Sequence, residues 1–526
     1  MKQITTKLSR LNETATTVLI IAILILINYI LTLFPIRIDV TANKRFSLSP
    51  ASKELVRNID DLVSVKVFVS QQIPARYGPV VDQVKDLLWE YEGSSGGNLK
   101  VEYFDPSSDP TVAQRANSLG IYPVQFSDLS QEKLEVSQGY FGLAVLYTDK
   151  SEVISFIDDT SNLEYQISLA ISNLSRLEKP SLGFVTGHDE KGLSSDMTLI
   201  GQALSKQYLV QTISLDDLAT ESELDVKEKL SVLLIVDPQS QFSQKDEYLV
   251  DQFLMKDKAV LFLVEGVKVS EGLLGEKSTH QLEEFFGSYG VVLNNDLVLD
   301  AVNEYASFSD GRSMFYVAYP FWPKITPDGF NQESLVTYQL ESALFPWVSS
   351  LGLNAEILPA GVKTVELVKS SPRSWTQPDN YNLDPTQEFV VPQGATERTL
   401  AVLLEGNLLS KFKDKKLPEG VSSDSFVSES RAARMAVVGD AEFAQDRYIQ
   451  GSPANYAFLA NLIDYLAAET SLTTIRAKGQ TFRPINELSQ PVKLQIKYAN
   501  IFGPSVLLVL FGFVYIYRRE KETKIE

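Results

Sequence analysis

One short polar stretch, Gly187–Glu190, combines the residue types of acid–base chemistry. His188 lies beside Asp189 and Glu190, and an apolar run over 182–186 precedes them. An imidazole next to carboxylates can act as a general base or as a metal ligand. The alternative is a structural turn whose polar residues cap the next helix. Because no G-x-S-x-G nucleophile motif lies in or next to this stretch, we predict a ligand site here and assign no catalytic residue.

A second pair of carboxylates, Asp440 and Glu442, follows the apolar run over 435–438. Two carboxylates at the end of a strand could hold a cation or a cationic ligand group. The alternative is an acidic turn at a helix N-terminus, which the helix dipole favours without any ligand. We assign no metal and no cofactor to either stretch.

The elements that would carry these residues alternate between strands and helices. Ser49 followed by Pro50 predicts a helix start, and that helix extends to about Asn58. The alternation of valines over 63–69 predicts a strand. Continuous apolar runs over 232–236 and 260–264 are typical of parallel strands buried on both faces. We therefore predict an α/β fold whose larger domain is a doubly wound sheet.

In such a sheet, ligands bind at the carboxyl ends of the strands. If the two polar stretches meet there, they form one cleft. The corresponding alternative function is an envelope hydrolase that uses His188 with Asp440 or Glu442.

A cluster of aromatic residues and prolines over 315–323 includes Phe321 and Trp322. Aromatic side chains are enriched at protein interfaces, so these two residues are candidates for partner binding, as in an envelope scaffold protein. A local hydrophobic core is the equally weighted alternative.

Composition excludes several functional classes. The 526 residues carry a formal charge of −19, which argues against nucleic-acid binding. The chain has no cysteine, so thiol catalysis, disulfides and cysteine-ligated zinc are excluded. It has two histidines and no G-x-x-x-x-G-K-[ST] phosphate loop. Any ATP hydrolysis must therefore come from another subunit.

Two apolar runs, Val18–Phe34 and Ile501–Tyr517, contain no charged side chain. Each approaches the roughly 20 residues that an α-helix needs to cross a bilayer, so we expect two transmembrane helices in contact with membrane lipid. Lysines and arginines outside both runs predict cytoplasmic termini in a bacterial inner membrane and a periplasmic body. A cleaved signal peptide is the alternative for the first run, but that run is long and lacks a small-x-small cleavage site. Gly503, Pro504 and Gly512 could allow close packing against another membrane protein.

These observations predict a linear layout. Its segments are a cytoplasmic N-terminus (1–17), a transmembrane helix (18–34), a first α/β domain (35–179), a second α/β domain (180–475) with an insertion at about 300–392, a linker (476–500), a transmembrane helix (501–517) and a cytoplasmic tail (518–526).

Three stretches, Ile38–Ser49, Gly183–Glu190 and Val437–Phe443, together resemble the GldG-like family. Its members are auxiliary components of bacterial ABC transporters, first tied to gliding motility. The most specific stretch reads D-x-T-x-x-K-R-F-S-L-S over 39–49. The chain departs from the family pattern at Asp189, where we expect glycine, and at Ala441, where we expect serine.

The resemblance implies a non-catalytic partner of an ABC-2-type permease and a separate cytoplasmic ATPase. It also implies that the larger domain is similar to class I amidotransferase-like domains without their catalytic apparatus. Gliding itself is not implied, and the transported substrate is not indicated.

Overall fold

The computed structural model describes most of the chain between residues 47 and 468. The described ranges are 47–71, 73–130, 133–176, 178–218, 230–270, 272–309, 313–338, 340–359, 361–421 and 423–468, with scattered positions over 19–26, at 475 and over 491–512. The helices are α1 (Pro50–Arg57), α2 (Gly78–Ser94), α3 (Pro110–Ser118), α4 (Leu163–Ser175), α5 (Thr198–Ser205), α6 (Gln244–Met255), α7 (Glu283–Ser288), α8 (Asp446–Gly451) and α9 (Pro453–Leu466).

The strands fall into one small sheet, one large sheet and several short pairings. Those of the N-terminal part are β1 (Val63–Val69), β2 (Leu99–Phe104), β3 (Val124–Ser130), β4 (Lys133–Gly139), β5 (Phe141–Tyr147) and β6 (Lys150–Ile154). Those that follow are β7 (Ser181–Thr186), β8 (Leu209–Ser214), β9 (Leu230–Val236), β10 (Ala259–Leu263), β11 (Val267–Val269), β12 (Gly275–Lys277), β13 (Val291–Leu293) and β14 (Leu297–Asp300). The remainder are β15 (Asn303–Ser309), β16 (Met314–Ile325), β17 (Ala343–Leu344), β18 (Leu351–Leu353), β19 (Lys363–Lys369), β20 (Ser374–Gln377), β21 (Thr399–Gly406) and β22 (Ala433–Val438).

The small sheet has the order β2-β1-β5-β6. The predicted helix start is confirmed, because Ser49 caps α1 by accepting a hydrogen bond from the Ser52 N–H. The predicted strand is also confirmed as β1, whose valines 63, 65 and 67 are buried. One face of the sheet packs on α1, α2 and α4, and the other face packs near α3.

The large sheet has the order β13-β18-β21-β22-β10-β9-β7-β8, and β19 also pairs with β21. Strands β22, β10, β9, β7 and β8 run parallel, whereas β21 is antiparallel to β22. The apolar runs predicted to be buried strands form β9 and β10, both buried along nearly their whole length. Their continuous hydrophobicity has a simple cause, because α5 and α9 cover one face while α6 and α7 cover the other.

The segment predicted as an insertion, 300–392, is only partly separate from the large sheet. Strands β15, β16 and β17 form their own sheet, and β14 pairs with β20. Strands β18 and β19 lie in the same segment, yet both pair with β21 of the large sheet. The irregular spacing of short strands hid this pairing in the sequence.

Residues Phe482–Glu526 form a second compact unit, distinct from Met1–Thr481. Its described positions between 491 and 512 are helical. Within it the rings of Tyr498 and Phe502 stack with centroids 6.1 Å apart.

The prediction of two transmembrane helices is corrected. In the part of the chain that the structure describes, no helix combines the length and the apolar composition needed to span a membrane. Much of Val18–Phe34 and of Ile501–Tyr517 lies outside the described residues. The expected inner-membrane location, with cytoplasmic termini and a periplasmic body, depended on those helices and is not supported.

Candidate functional site

Four parallel strands of the large sheet end side by side at one edge. They are β22, β10, β9 and β7, in that spatial order. A buried ionisable residue follows each strand, so one edge of the sheet collects them. These residues are Asp440 and Glu442 after β22, Glu265 after β10, Asp237 after β9 and His188 after β7, each no more than 8% exposed.

Close backbone packing holds two of these strand ends. A Cβ atom on Gly439, directly before Asp440, would lie 2.1 Å from the carbonyl oxygen of Ser349. A Cβ atom on Gly266, directly after Glu265, would lie 2.1 Å from the carbonyl oxygen of Asn294. Only glycine fits at such distances, so the chain entering β18 packs against the end of β22 and the chain leaving β13 packs against the end of β10.

The His188 ring lies between two carboxylates. Its Nδ1 is 3.2 Å from Glu190 Oε1, and its Nε2 is 3.3 Å from Asp246 Oδ2. The ring stacks on Phe242, with centroids 4.0 Å apart and planes 16° apart. Asp246 also caps α6, because its side chain and that of Ser243 exchange hydrogen bonds with each other's backbone N–H groups. His188 thus connects the end of β7 to the first turn of α6.

This arrangement fixes the charge of the imidazole. Hydrogen bonds to Asp246 and then Glu190 raise the pKa of His188 to about 9, against the opposing effect of burial. Burial acts to raise the pKa of Asp246, but hydrogen bonds from His188 and Ser243 outweigh it and lower that pKa to about 2. A protonated imidazole held by two carboxylates donates hydrogen bonds and cannot accept a proton as a general base at neutral pH.

Asp189 and Glu190 have different roles in this turn. Asp189 is exposed and has a φ of +56°, in the left-handed region that glycine occupies most readily. The family glycine expected at this position would suit the same backbone. Glu190 accepts a hydrogen bond from the His188 N–H at 2.8 Å and so closes the turn.

The carboxylates after β22 are held separately from His188. Glu442 forms an ion pair with Arg447, whose side chain is 55% exposed. Asp440 is fully buried, and its Oδ1 accepts a hydrogen bond from the Phe443 N–H at 3.1 Å. The His188 ring therefore hydrogen-bonds to Glu190 and Asp246, whereas Asp440 bonds to the Phe443 N–H and Glu442 to Arg447.

Sequence reasoning missed two members of this edge, Asp237 and Glu265. Each is the first acidic residue after an apolar run that was correctly assigned as a strand, and that position was available in the sequence. The Lys191 Nζ lies 3.9 Å from Asp237 Oδ2. Glu265 accepts a hydrogen bond from the Ala441 N–H, which links the ends of β10 and β22.

Glu265, Asp440 and Asp237 form a buried acidic cluster. Burial, followed by the charges of Asp237, Glu442 and Asp440, raises the pKa of Glu265 well above its ordinary value. Burial and the charge of Glu442 raise the pKa of Asp440 in the same direction. Glu265 Oε1 and Asp440 Oδ2 are buried and make no hydrogen bond within the described chain. The cluster therefore favours protonated carboxyl groups.

Metal-ligand geometry and the second histidine complete the description of this edge. Among the described residues, no three His, Cys, Asp or Glu side chains have an arrangement that could hold a metal ion. The second histidine, His280, is buried and structural, since it accepts from the Leu282 N–H through Nδ1 at 3.0 Å and its Nε2 lies 3.1 Å from the Glu265 carbonyl oxygen. Burial lowers the pKa of His280, so this ring stays neutral.

The structure places the predicted partner-binding aromatics mostly inside the molecule. Phe321 has no exposed surface and packs in a cluster that contains Tyr319 and Leu383. Trp322 is half-buried, with its ring centroid 5.6 Å from that of Trp347. On the antiparallel pair of strands β15 and β16, the exposed aromatic side chains are instead Tyr305 and Tyr316.

The three residues proposed for close helix packing lie in or near the second unit's helical positions. Gly503 and Gly512 are helical, and a Cβ atom on either would meet no atom within 4 Å. Pro504 lies outside the described residues. Their role in partner binding stays a prediction.

Comparison with known protein families gives two matches along the chain. A family model described as "ABC-type uncharacterized transport system" matches residues 179–468. A model described as "Domain of unknown function (DUF7088)" matches residues 42–146. The first match contains the large sheet and the five buried ionisable residues at its strand ends, which we call the strand-end site: His188, Asp237, Glu265, Asp440 and Glu442.

Individual proteins are similar to the chain over most of its length or over part of it. An uncharacterized protein of Borreliella burgdorferi is 24% identical over 526 residues, covering 97% of this chain and 99% of the relative. A solved structure described as the mmIFT52 N-terminal domain is 12% identical, with a TM-score of 0.35, and covers 55% of this chain and 97% of the solved one.

Proposed function

Because the chain belongs to the family described as "ABC-type uncharacterized transport system", we propose that it is a non-catalytic auxiliary subunit of a bacterial ABC transport complex. The observation that carries this proposal is the family match over 179–468, which spans the whole parallel core of the large sheet. In this proposal the subunit associates with an ABC-2-type permease and with a separate ATPase. The narrower GldG-like assignment is part of the same proposal.

The geometry of the strand-end site supports a non-catalytic role. Hydrolytic chemistry at this edge would need an accessible base or nucleophile. His188 is held between Glu190 and Asp246, and Glu442 is held by Arg447. The hydrolase that would use His188 with Asp440 or Glu442 receives no support, because the His188 ring hydrogen-bonds to other carboxylates.

The absence of a phosphate loop and of cysteine from the full sequence supports the same division of labour. Energy for transport would come from the ATPase partner, and this chain would contribute binding surfaces.

Purification of the tagged chain from its own organism tests the proposal. Cells are solubilised in mild detergent, and the proteins recovered with the chain are identified by mass spectrometry, with an untagged strain as the control. We expect an ABC-2-type permease and an ATPase to be enriched together. Recovery of the chain without either one would contradict the proposal.

A further inference from the structure

A cleft of about 680 Å³ opens beside β19. This volume lies within the range of roughly 300–1,000 Å³ that is typical of ligand-binding clefts. The cleft is lined by the loop 328–335, by strand β19 and by single residues of three other elements, namely Leu353 of β18, Leu403 of β21 and Tyr465 of α9. None of these residues belongs to the strand-end site.

One edge of β19 is only partly paired. On its inner side β19 pairs with β21 along its length. On its outer side Phe330 forms an antiparallel bridge with Val368, and the Asn331 N–H donates to the Leu367 carbonyl oxygen at 3.1 Å. The Asn331 side chain also donates to the Glu366 carbonyl oxygen at 3.2 Å. Within the described ranges, no strand pairs with the outer side of residues 363–366, and the cleft lies alongside them.

The loop at Phe330 therefore shows how an added strand would lie. Backbone groups of a strand point alternately to its two sides, so an unpaired outer side presents donors and acceptors to a neighbour. A segment that continued the direction of Phe330–Asn331 would run antiparallel to β19. Its N-terminal end would lie near Glu366 and its C-terminal end near Lys363.

The walls of the cleft suit such a segment. Val365, Leu403 and Leu335 provide apolar contacts for alternate side chains. The charges differ at the two ends. Lys363, with a side chain 69% exposed, lies at one end. The exposed Glu333 lies on the loop at the other end, where the cation Lys369 is already paired with Glu366 and Glu397.

We propose that this cleft binds an extended peptide segment of a partner protein as an added antiparallel strand on β19. Charge complementarity specifies the segment further: it carries a basic residue towards its N-terminal end, near Glu333, and an acidic residue towards its C-terminal end, near Lys363. This inference goes beyond the proposed function, because it holds whichever protein supplies the peptide.

A phage-displayed library of short random peptides, selected on the full chain, provides the probe. Selected peptides are then bound to the chain, and hydrogen exchange of its backbone amides is followed by mass spectrometry. We expect selected peptides with the stated charge order to slow the exchange of amides within 363–366. If no selected peptide slows exchange there, the proposal is overturned.

Charge reversal separates binding in this cleft from non-specific attraction. Lys363→Glu is expected to lower the affinity of a selected peptide by about fivefold, which corresponds to the upper end of the energy of an exposed ion pair. A peptide whose acidic residue is replaced by lysine should recover that loss. Lys277→Glu, an exposed reversal on β12 outside the cleft, is the matched control and should leave affinity unchanged.

Glu333→Lys provides a second variant in case Lys363→Glu unfolds the edge, because Lys363 also pairs with Glu405 at 3.7 Å. Glu333→Lys should lower the affinity of the same peptide and should raise the affinity of a peptide whose N-terminal residue is acidic. Equal effects of the cleft variants and the Lys277→Glu control would overturn the assigned site.

Discussion

The Nε2 of His188 lies 3.3 Å from Oδ2 of Asp246, which joins the end of a central parallel strand to the first turn of a helix 58 residues further along the chain. The same carboxylate caps that helix, so one residue serves the turn and the helix together. Because of this contact, His188, the candidate for acid–base chemistry in the sequence, is part of a structural ion pair.

His188→Phe should destabilise the protein in a pH-dependent way. Phenylalanine keeps the stacking on Phe242 but removes the charge. Because the pKa of His188 is raised from 6.5 to about 9, its contribution to stability is fully present below pH 6.5 and is lost as the pH rises through about 9. Urea unfolding across this range should show a deficit for the variant that disappears at the alkaline end. An equal deficit at every pH would mean that the charge contributes nothing.

Asp440→Asn should stabilise the protein at neutral pH. Since burial raises the pKa of Asp440 above 3.8, the wild type gains stability below that value and loses it as the pH rises. The advantage of the variant should therefore grow with pH, by up to about 1.4 kcal/mol for each pH unit. Thermal unfolding at several pH values measures it, with the exposed Asp189→Asn as control. A variant that is less stable than wild type at all pH values would contradict a protonated Asp440.

Arg447→Ala should leave Glu442 as an unpaired charge at a buried position. Loss of one partner of a buried pair costs about 3–5 kcal/mol, and we expect roughly 1–3 kcal/mol because Arg447 is half-exposed. Adding Glu442→Gln should restore most of the loss. Chemical unfolding of both single variants and the double variant measures the coupling. Simple additivity of the two losses would show that the pair does not interact.

Asp189→Val should destabilise the protein, whereas Asp189→Gly should leave its stability nearly unchanged. Asp189 has a φ of +56°, where a β-branched side chain is strained and glycine is not. We expect Asp189→Val to cost about 1–2 kcal/mol and Asp189→Gly to lie within about 0.5 kcal/mol of wild type. Unfolding free energies of the two variants test this directly. Equal stability of the two would contradict the left-handed backbone.

Phe321→Ala and Tyr316→Ala distinguish a role in core packing from a role in surface contact for the aromatic residues of β16. Phe321 is fully buried, so its truncation should cost about 3–5 kcal/mol of stability. Tyr316 is 70% exposed, and its truncation should leave the melting temperature nearly unchanged. Loss of a partner on Tyr316→Ala would therefore report on docking, whereas loss on Phe321→Ala alone would report on folding. Equal melting temperatures of both variants would contradict the placement of Phe321.

Local patterns in the sequence predicted the central elements well. Alternating valines gave β1, and continuous apolar runs gave β9 and β10, because burial on one face or on both leaves a direct trace in hydrophobicity. The rule that ligands bind at the carboxyl ends of strands also directed attention to His188, Asp440 and Glu442, which lie just after β7 and β22. Their role as a ligand site stays a prediction. Applied fully, the same rule would have identified Asp237 and Glu265.

Contacts between distant residues could not be predicted in this way. No local pattern connects His188 to Asp246, or Glu265 to the Ala441 N–H, because each contact depends on how helices and strands pack in three dimensions. The edge position of β19 was hidden for the same reason. Its partner β21 lies beyond the irregular aromatic segment, where strand spacing gives no period.

The most direct test of the proposed function is a reciprocal purification from the ATPase that is encoded with this chain or recovered with it. The tagged ATPase is isolated in mild detergent, and the intact assembly is measured by native mass spectrometry, with an ATPase of an unrelated transporter as control. We predict one assembly that contains the ATPase, an ABC-2-type permease and this chain in fixed ratio. An ATPase–permease assembly of defined mass that lacks this chain would contradict its role as an auxiliary subunit.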